Sequence, residues 1–114
     1  MHANGRIDYC ELAGTDVAEM KRFYESAFGW QFTDYGPAYA AFAESGLDGG
    51  IQGDPREASA APLIVVYADD LEAMQSKVTA AGGTISREIF TFPGGRRFHF
   101  HDPSGNELAV WSEV

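Results

Sequence analysis

The 114 residues predict an α+β domain made of two consecutive βαβββ units. Three observations carry that expectation: an apolar strand followed by an acidic cap and an amphipathic helix, a tail of short β-like runs, and the return of the same order half a chain later. A chain of this length is the size of one domain and can bury about two-thirds of its unfolded surface, so neither disulfide nor structural metal is needed. Cys10 is the only cysteine, which excludes an internal disulfide and a cysteine cage for zinc. Its apolar neighbours make it a small buried hydrophobe rather than a nucleophile.

Ile7 to Ala13 reads as the first strand, and Asp16 can cap the next helix because its carboxylate accepts from free amides of the first turn. Val17, Met20, Tyr24 and Ala27 recur at helical spacing up to about Phe28, and Gly29 supplies the stop. Short runs follow over 30–35, 38–44 and 50–53, separated by Gly36-Pro37 and by Ser45-Gly46-Leu47-Asp48-Gly49. Residues 54–62 have no period and read as the linker between unit one (about 7–53) and unit two (about 63–112).

A shift of 54 positions then lays Asp70 on Asp16, Met74 on Met20, Val78 on Tyr24 and Gly83 on Gly29. Leu63 to Ala68 is the equivalent strand, Leu71, Met74, Val78 and Ala81 the helix face, and 84–90, 96–101 and 107–112 the three-strand tail. Joint registration of cap, face, stop and tail marks an internal repeat.

The N-terminus carries no basic stretch leading into an apolar one, and nothing approaches the roughly 20 apolar residues of a membrane span, so the expected location is the cytoplasm. With 17 acidic against 8 basic residues the net charge of −9 repels phosphate backbones and anionic headgroups. Neither nucleic acid nor membrane is an expected partner.

Strand alternation assigns faces. Around the turn Asp102-Pro103-Ser104-Gly105-Asn106, pairing His101 with Glu107, His99 with Ala109 and Arg97 with Trp111 puts these six on one face, with Phe98, Phe100, Leu108 and Val110 on the other. The apolar side belongs under the helix, and the mixed side faces a ligand cavity. The same alternation sends Cys10 and Leu12 to the helix, and Tyr9, Glu11 and Tyr67 to the cavity. Candidate catalytic groups are Glu11, His99 and Glu107: a carboxylate in a partly apolar cavity can exchange protons with a ligand, or can simply anchor a neighbouring strand. His99, His101 and Glu107 also suggest a metal, but same-face strand neighbours splay by about 7 Å, near the limit for one ion. Arg96 and Arg97 can hold an anion or merely decorate the hairpin beside Gly94-Gly95.

Tyr9-Cys10-Glu11-Leu12 to Asp16, Phe23-Tyr24, Phe28-Gly29-Trp30, Leu47-Asp48-Gly49-Gly50-Ile51, Phe92-Pro93-Gly94-Gly95-Arg96 and Asp102-Pro103-Ser104-Gly105-Asn106 together resemble the glyoxalase/bleomycin-resistance/dioxygenase superfamily. This is the vicinal-oxygen-chelate fold, and the similarity is greatest to its small branch related to lactoylglutathione lyase. The resemblance implies a homodimer, a small-molecule cavity and, in metal-using members, two ligands per unit, early in the first strand and in the last. Those positions correspond to Tyr9, Leu63, Ala109 and a place near Ile51 or Gln52, so the expectation is no metal and no cofactor. Three functions stay open: a metal-independent binder of a small organic molecule, a metal-dependent lyase, isomerase or dioxygenase, and a non-catalytic interaction module.

Overall fold

The computed structural model describes residues 2–114. Its elements are β1 (Ile7–Ala13), α1 (Val17–Phe28), β2 (Gln31–Asp34), β3 (Tyr39–Ala43), β4 (Gly49–Gln52), β5 (Leu63–Tyr67), α2 (Leu71–Ala80), β6 (Thr84–Phe92), β7 (Gly95–His101) and β8 (Glu107–Ser112). This is βαβββ twice, an α+β architecture. Chain contacts divide it into two compact units, Tyr9–Leu63 and Ile64–Val114, the latter joined by the residues up to Asp8. The N-terminal residues belong there because Gly5 donates to the carbonyl of Tyr67, and Tyr67 in turn to that of Arg6.

In the unit Tyr9–Leu63 the strand order is β2-β3-β4-β1, antiparallel except for the parallel pair of β1 and β4. The parallel pair is what the crossover through α1 makes possible. Asp16 caps α1 by accepting from the amide of Glu19 at 3.0 Å, and Gly29 ends it in the left-handed region at φ 75°, donating to the carbonyl of Glu25. A side chain other than glycine would be strained there. Val17, Ala40, Phe42 and Ile51 form the core, with Cys10, Leu12, Met20, Tyr24 and Trp30 packed against it. Tyr24 lies flat on Trp30, ring centres 4.6 Å apart.

The second unit repeats the plan in the order β5-β8-β7-β6, with β5 parallel to β8. Asp70 caps α2 through the amide of Ala73, and Leu71, Ala68, Phe98 and Val110 form the core, joined by Met74, Val78 and Phe100. Each helix buries the stripe expected of it apart from its last alanine: Ala27 and Ala81 are both exposed. The pairs His101 with Glu107, His99 with Ala109 and Arg97 with Trp111 are the observed register of β7 and β8. Phe98 and Val110 therefore lie under α2, and His99 and Arg97 point to the opposite face. No helix among the described residues is long and apolar enough to cross a membrane.

Candidate functional site

In the unit Ile64–Val114 the face turned away from α2 is built on β6, β7 and β8. His99, at 3 % exposure, is its most buried titratable group. Its Nδ1 lies 3.1 Å from Oε2 of Glu107, a diagonal contact, since the residue facing Glu107 across the ladder is His101. The carboxylate accepts, so Nδ1 carries the proton and Nε2 is left as an acceptor. That Nε2 is buried and has no hydrogen-bond partner among the described residues. Burial depresses the imidazole below its ordinary pKa; the bond to Glu107 opposes this, and the charge of Arg97 adds to it. His99 is thus an uncharged imidazole held in one orientation.

Phe90 tilts against the His99 ring at 5.8 Å between centres, and guanidinium groups approach the Phe90 ring from Arg87 at 3.6 Å and Arg97 at 5.3 Å. Two irregularities in the β6 to β7 register, between Ile85 and Arg87 and between Arg87 and Phe90, bring these residues there. The first turns Arg87 to the face of His99, which strict alternation would not, because an extra residue reverses which face the following side chains take; the second restores the alternation and sets Phe90 opposite Arg97. Arg96 leaves the site altogether, reaching Glu72 on α2 with two bonds of 2.6 and 3.1 Å.

Trp111 and Tyr67 meet at 5.2 Å at the other end of this face, where the indole donates to Asp8 at 3.0 Å. His2 completes the cluster, stacked on Tyr67, edge-on to Trp111 and bonded to Asp8 at 2.6 Å.

The unit Tyr9–Leu63 carries a separate polar group. Glu11 is buried at 5 % exposure, and Tyr39 donates to its Oε2 at 3.0 Å. The Tyr39 and Tyr9 hydroxyls are 2.5 Å apart. An ionised carboxylate only accepts, so Tyr39 gives its proton to Glu11 and Tyr9 donates to Tyr39. Burial first, then the negative charge of Glu11, raises the Tyr39 pKa and keeps the phenol protonated. To reach Glu11 on β1, Tyr39 on β3 must cross β4, and it does so over Gly50, where a Cβ would overlap the phenol ring and hydroxyl.

Residues 6–110 match the model of the Glyoxalase/Bleomycin resistance protein/Dioxygenase superfamily. The chain belongs to this superfamily. CFP32 of Mycobacterium bovis, a protein named as a glyoxylase, is 28 % identical to it across 96 % of this chain and 46 % of its own length. The chain thus spans about half the length of the curated relatives it matches. Among solved structures of the fold, the Mn(II)-bound glyoxalase from Novosphingobium aromaticivorans superposes with a TM-score of 0.68 at 23 % identity, covering all of this chain and 40 % of that one. Methylmalonyl-CoA epimerase from Mycobacterium tuberculosis does so at 0.68 and 16 %, covering 100 % and 93 %.

A superfamily metal does not fit the residues of this member. Leu63 and Ala109 are buried at 1 % and 0 % exposure and offer no donor atom, Ile51 lies in the core of its unit, and the Tyr9 hydroxyl is engaged by Tyr39. Among the described residues no three His, Cys, Asp or Glu side chains converge. The trio His99, His101 and Glu107 does not assemble as a chelate, because Glu107 turns to His99 alone.

Of the eight cavity residues expected from sequence, Tyr9 and Glu11 join one cluster through Tyr39. His99 pairs with Glu107 and Tyr67 with Trp111, while Arg97 reaches Phe90 and Phe92. The expected set omits Tyr39, Arg87, Phe90 and Phe92, and of these only Arg87 breaks the alternation of its strand. The Gly49-Gly50 pair inside a strand was a usable signal for Tyr39, since glycine there marks a close approach.

Proposed function

We propose that this superfamily member binds a small organic molecule on the face around His99, without a divalent metal, and that His99 accepts a hydrogen bond or proton from it. One observation carries the reading: Glu107 fixes the imidazole while Nε2 stays buried and unpartnered. Leaving a buried acceptor unsatisfied costs about 1–3 kcal/mol, a cost that a ligand hydroxyl, amide or acidified C–H would remove. A neutral imidazole oriented by a carboxylate is also the arrangement of a general base. Glu11, hydrogen-bonded by Tyr39, supports the second role expected of it, a held carboxylate. The superfamily resemblance adds a homodimer, which light scattering at micromolar concentration tests: a monomer contradicts it.

The direct experiment is a thermal-shift screen of small metabolites on native protein and on His99→Ala, with elemental analysis before and after chelation. A ligand at a hundredfold excess over its Kd adds about 2.7 kcal/mol of stability, several degrees in midpoint. The expected result is a hit whose shift disappears in His99→Ala and survives chelation. Equal binding by the variant sinks the reading, as does one equivalent of metal that is lost with His99.

A further inference from the structure

At the Trp111 end of the same face, a side chain of the protein itself fills a cleft. Tyr67 and Trp111 are register partners on β5 and β8, so their rings stand side by side and meet at 5.2 Å. The His2 ring stacks on Tyr67 at 4.9 Å with 21° between the planes, lies edge-on to Trp111 at 4.7 Å, and brings its Nδ1 to 2.6 Å from Oδ2 of Asp8. A carboxylate only accepts, so the imidazole donates. The other Asp8 oxygen accepts from the Trp111 indole at 3.0 Å, which fixes acid and indole together. A flat ring is thus held by its face, its edge and its N–H. The repeat shows that the fold does not require this arrangement: a shift of 54 sets Ala13 where Tyr67 stands, and the register partner of Ala13 is Gln52 where Tyr67 has Trp111. Nor does the segment need the His2 side chain to stay in place, because Gly5 and Arg6 bond to the main chain of Tyr67, and Asn4 to the amide of Asp69. With 34 % of its side chain exposed, His2 can swing out without opening the core.

We propose that this cleft is a binding site for a flat nitrogen heterocycle with an N–H donor on its edge, an imidazole or a larger ring of that kind, and that His2 occupies it as a tethered stand-in. The incoming ring lies on Tyr67, edge-on to Trp111, and donates to Asp8 Oδ2 in place of His2. The surroundings favour a donor: the charges acting on the Tyr67 hydroxyl are those of Glu113, Asp69 and Asp8, all negative, and together with burial, the larger cause, they raise its pKa. An anionic ring is repelled there, and a ring without an N–H offers the carboxylate nothing. His99 takes no part in this site, so either reading can fail without the other.

The probe is imidazole itself, titrated into native protein and into His2→Ala, with the indole N–H resonance of Trp111 as the reporter. His2 is exposed and lies outside every strand and helix, so the truncation leaves the walls of the cleft intact. A tethered ring competes at an effective concentration in the millimolar range, so imidazole is expected to bind the variant about tenfold more tightly than native protein. At a pH where both are uncharged, 1-methylimidazole keeps the flat ring and lacks the donor, and it is expected to bind the variant about tenfold more weakly than imidazole does. Adding Asp8→Asn, which keeps the shape and removes the charge, is expected to weaken imidazole binding about fivefold. Failure of imidazole to move the Trp111 resonance to saturation in His2→Ala overturns the proposal. So does equal affinity for native protein and variant, equal binding of the methylated ring, or binding indifferent to Asp8→Asn.

Discussion

His99 is where burial, orientation and charge meet, and it titrates accordingly. The unfolded chain takes up a proton on this imidazole near its ordinary value of about 6.5, whereas the folded chain, with the pKa depressed by burial, resists it. Its contribution is therefore complete above that pH and lost as pH falls through the depressed folded value. Within that window the slope attributable to one group is at most about 1.4 kcal/mol per pH unit. Denaturant unfolding at pH 7.5, 6.5 and 5.5 should show native protein losing more stability than His99→Gln over the same steps. Parallel profiles would show that His99 is not the group responsible. The face of this residue was legible in sequence, since alternation on β7 and the turn that sets the β7 to β8 register both follow from composition. Its partner was less so: the ladder puts Glu107 opposite His101, and only side-chain geometry turns it diagonally.

Single strands explain what the alternating pattern could not show. On β4, Gly50 lets the Tyr39 ring pass, while at Gly49 a Cβ would overlap the Cys10 carbonyl and the Phe42 ring. Gly50→Ala is expected to push Tyr39 off Glu11, with overpacking costing about 1–3 kcal/mol, and to cost distinctly less when Tyr39 is already alanine. Gly49→Ala strikes main chain and gains no such relief. A double-mutant cycle on chemical denaturation measures both, and additivity of Gly50→Ala with Tyr39→Ala would refute the crossing. On β6 the failure of sequence reasoning has a different cause. The first register irregularity turns Arg87 to the face of His99 and the second restores the alternation with Phe90 opposite Arg97, and nothing in the composition of Thr84–Phe92 announces either.

At the scale of the molecule, the repeat was readable because cap, helix stripe and glycine stop are local in sequence, and each recurs in α1 and α2. The division of the chain was less readable. The sequence starts its first unit near residue 7, yet Asp8 and the residues before it contact the second unit through Tyr67 and Trp111, a partnership spanning most of the chain. That partnership has an optical consequence. Trp111 has the His2 ring edge-on at 4.7 Å and its indole N–H bonded to Asp8, whereas Trp30 lies in the other unit against Tyr24. An imidazole against an excited indole quenches its emission, so in a Trp30→Phe background the fluorescence of Trp111 becomes a gauge of whether the first residues are docked. His2→Ala should brighten it without altering the far-ultraviolet circular dichroism, and unchanged emission would mean the docking seen here does not hold in solution.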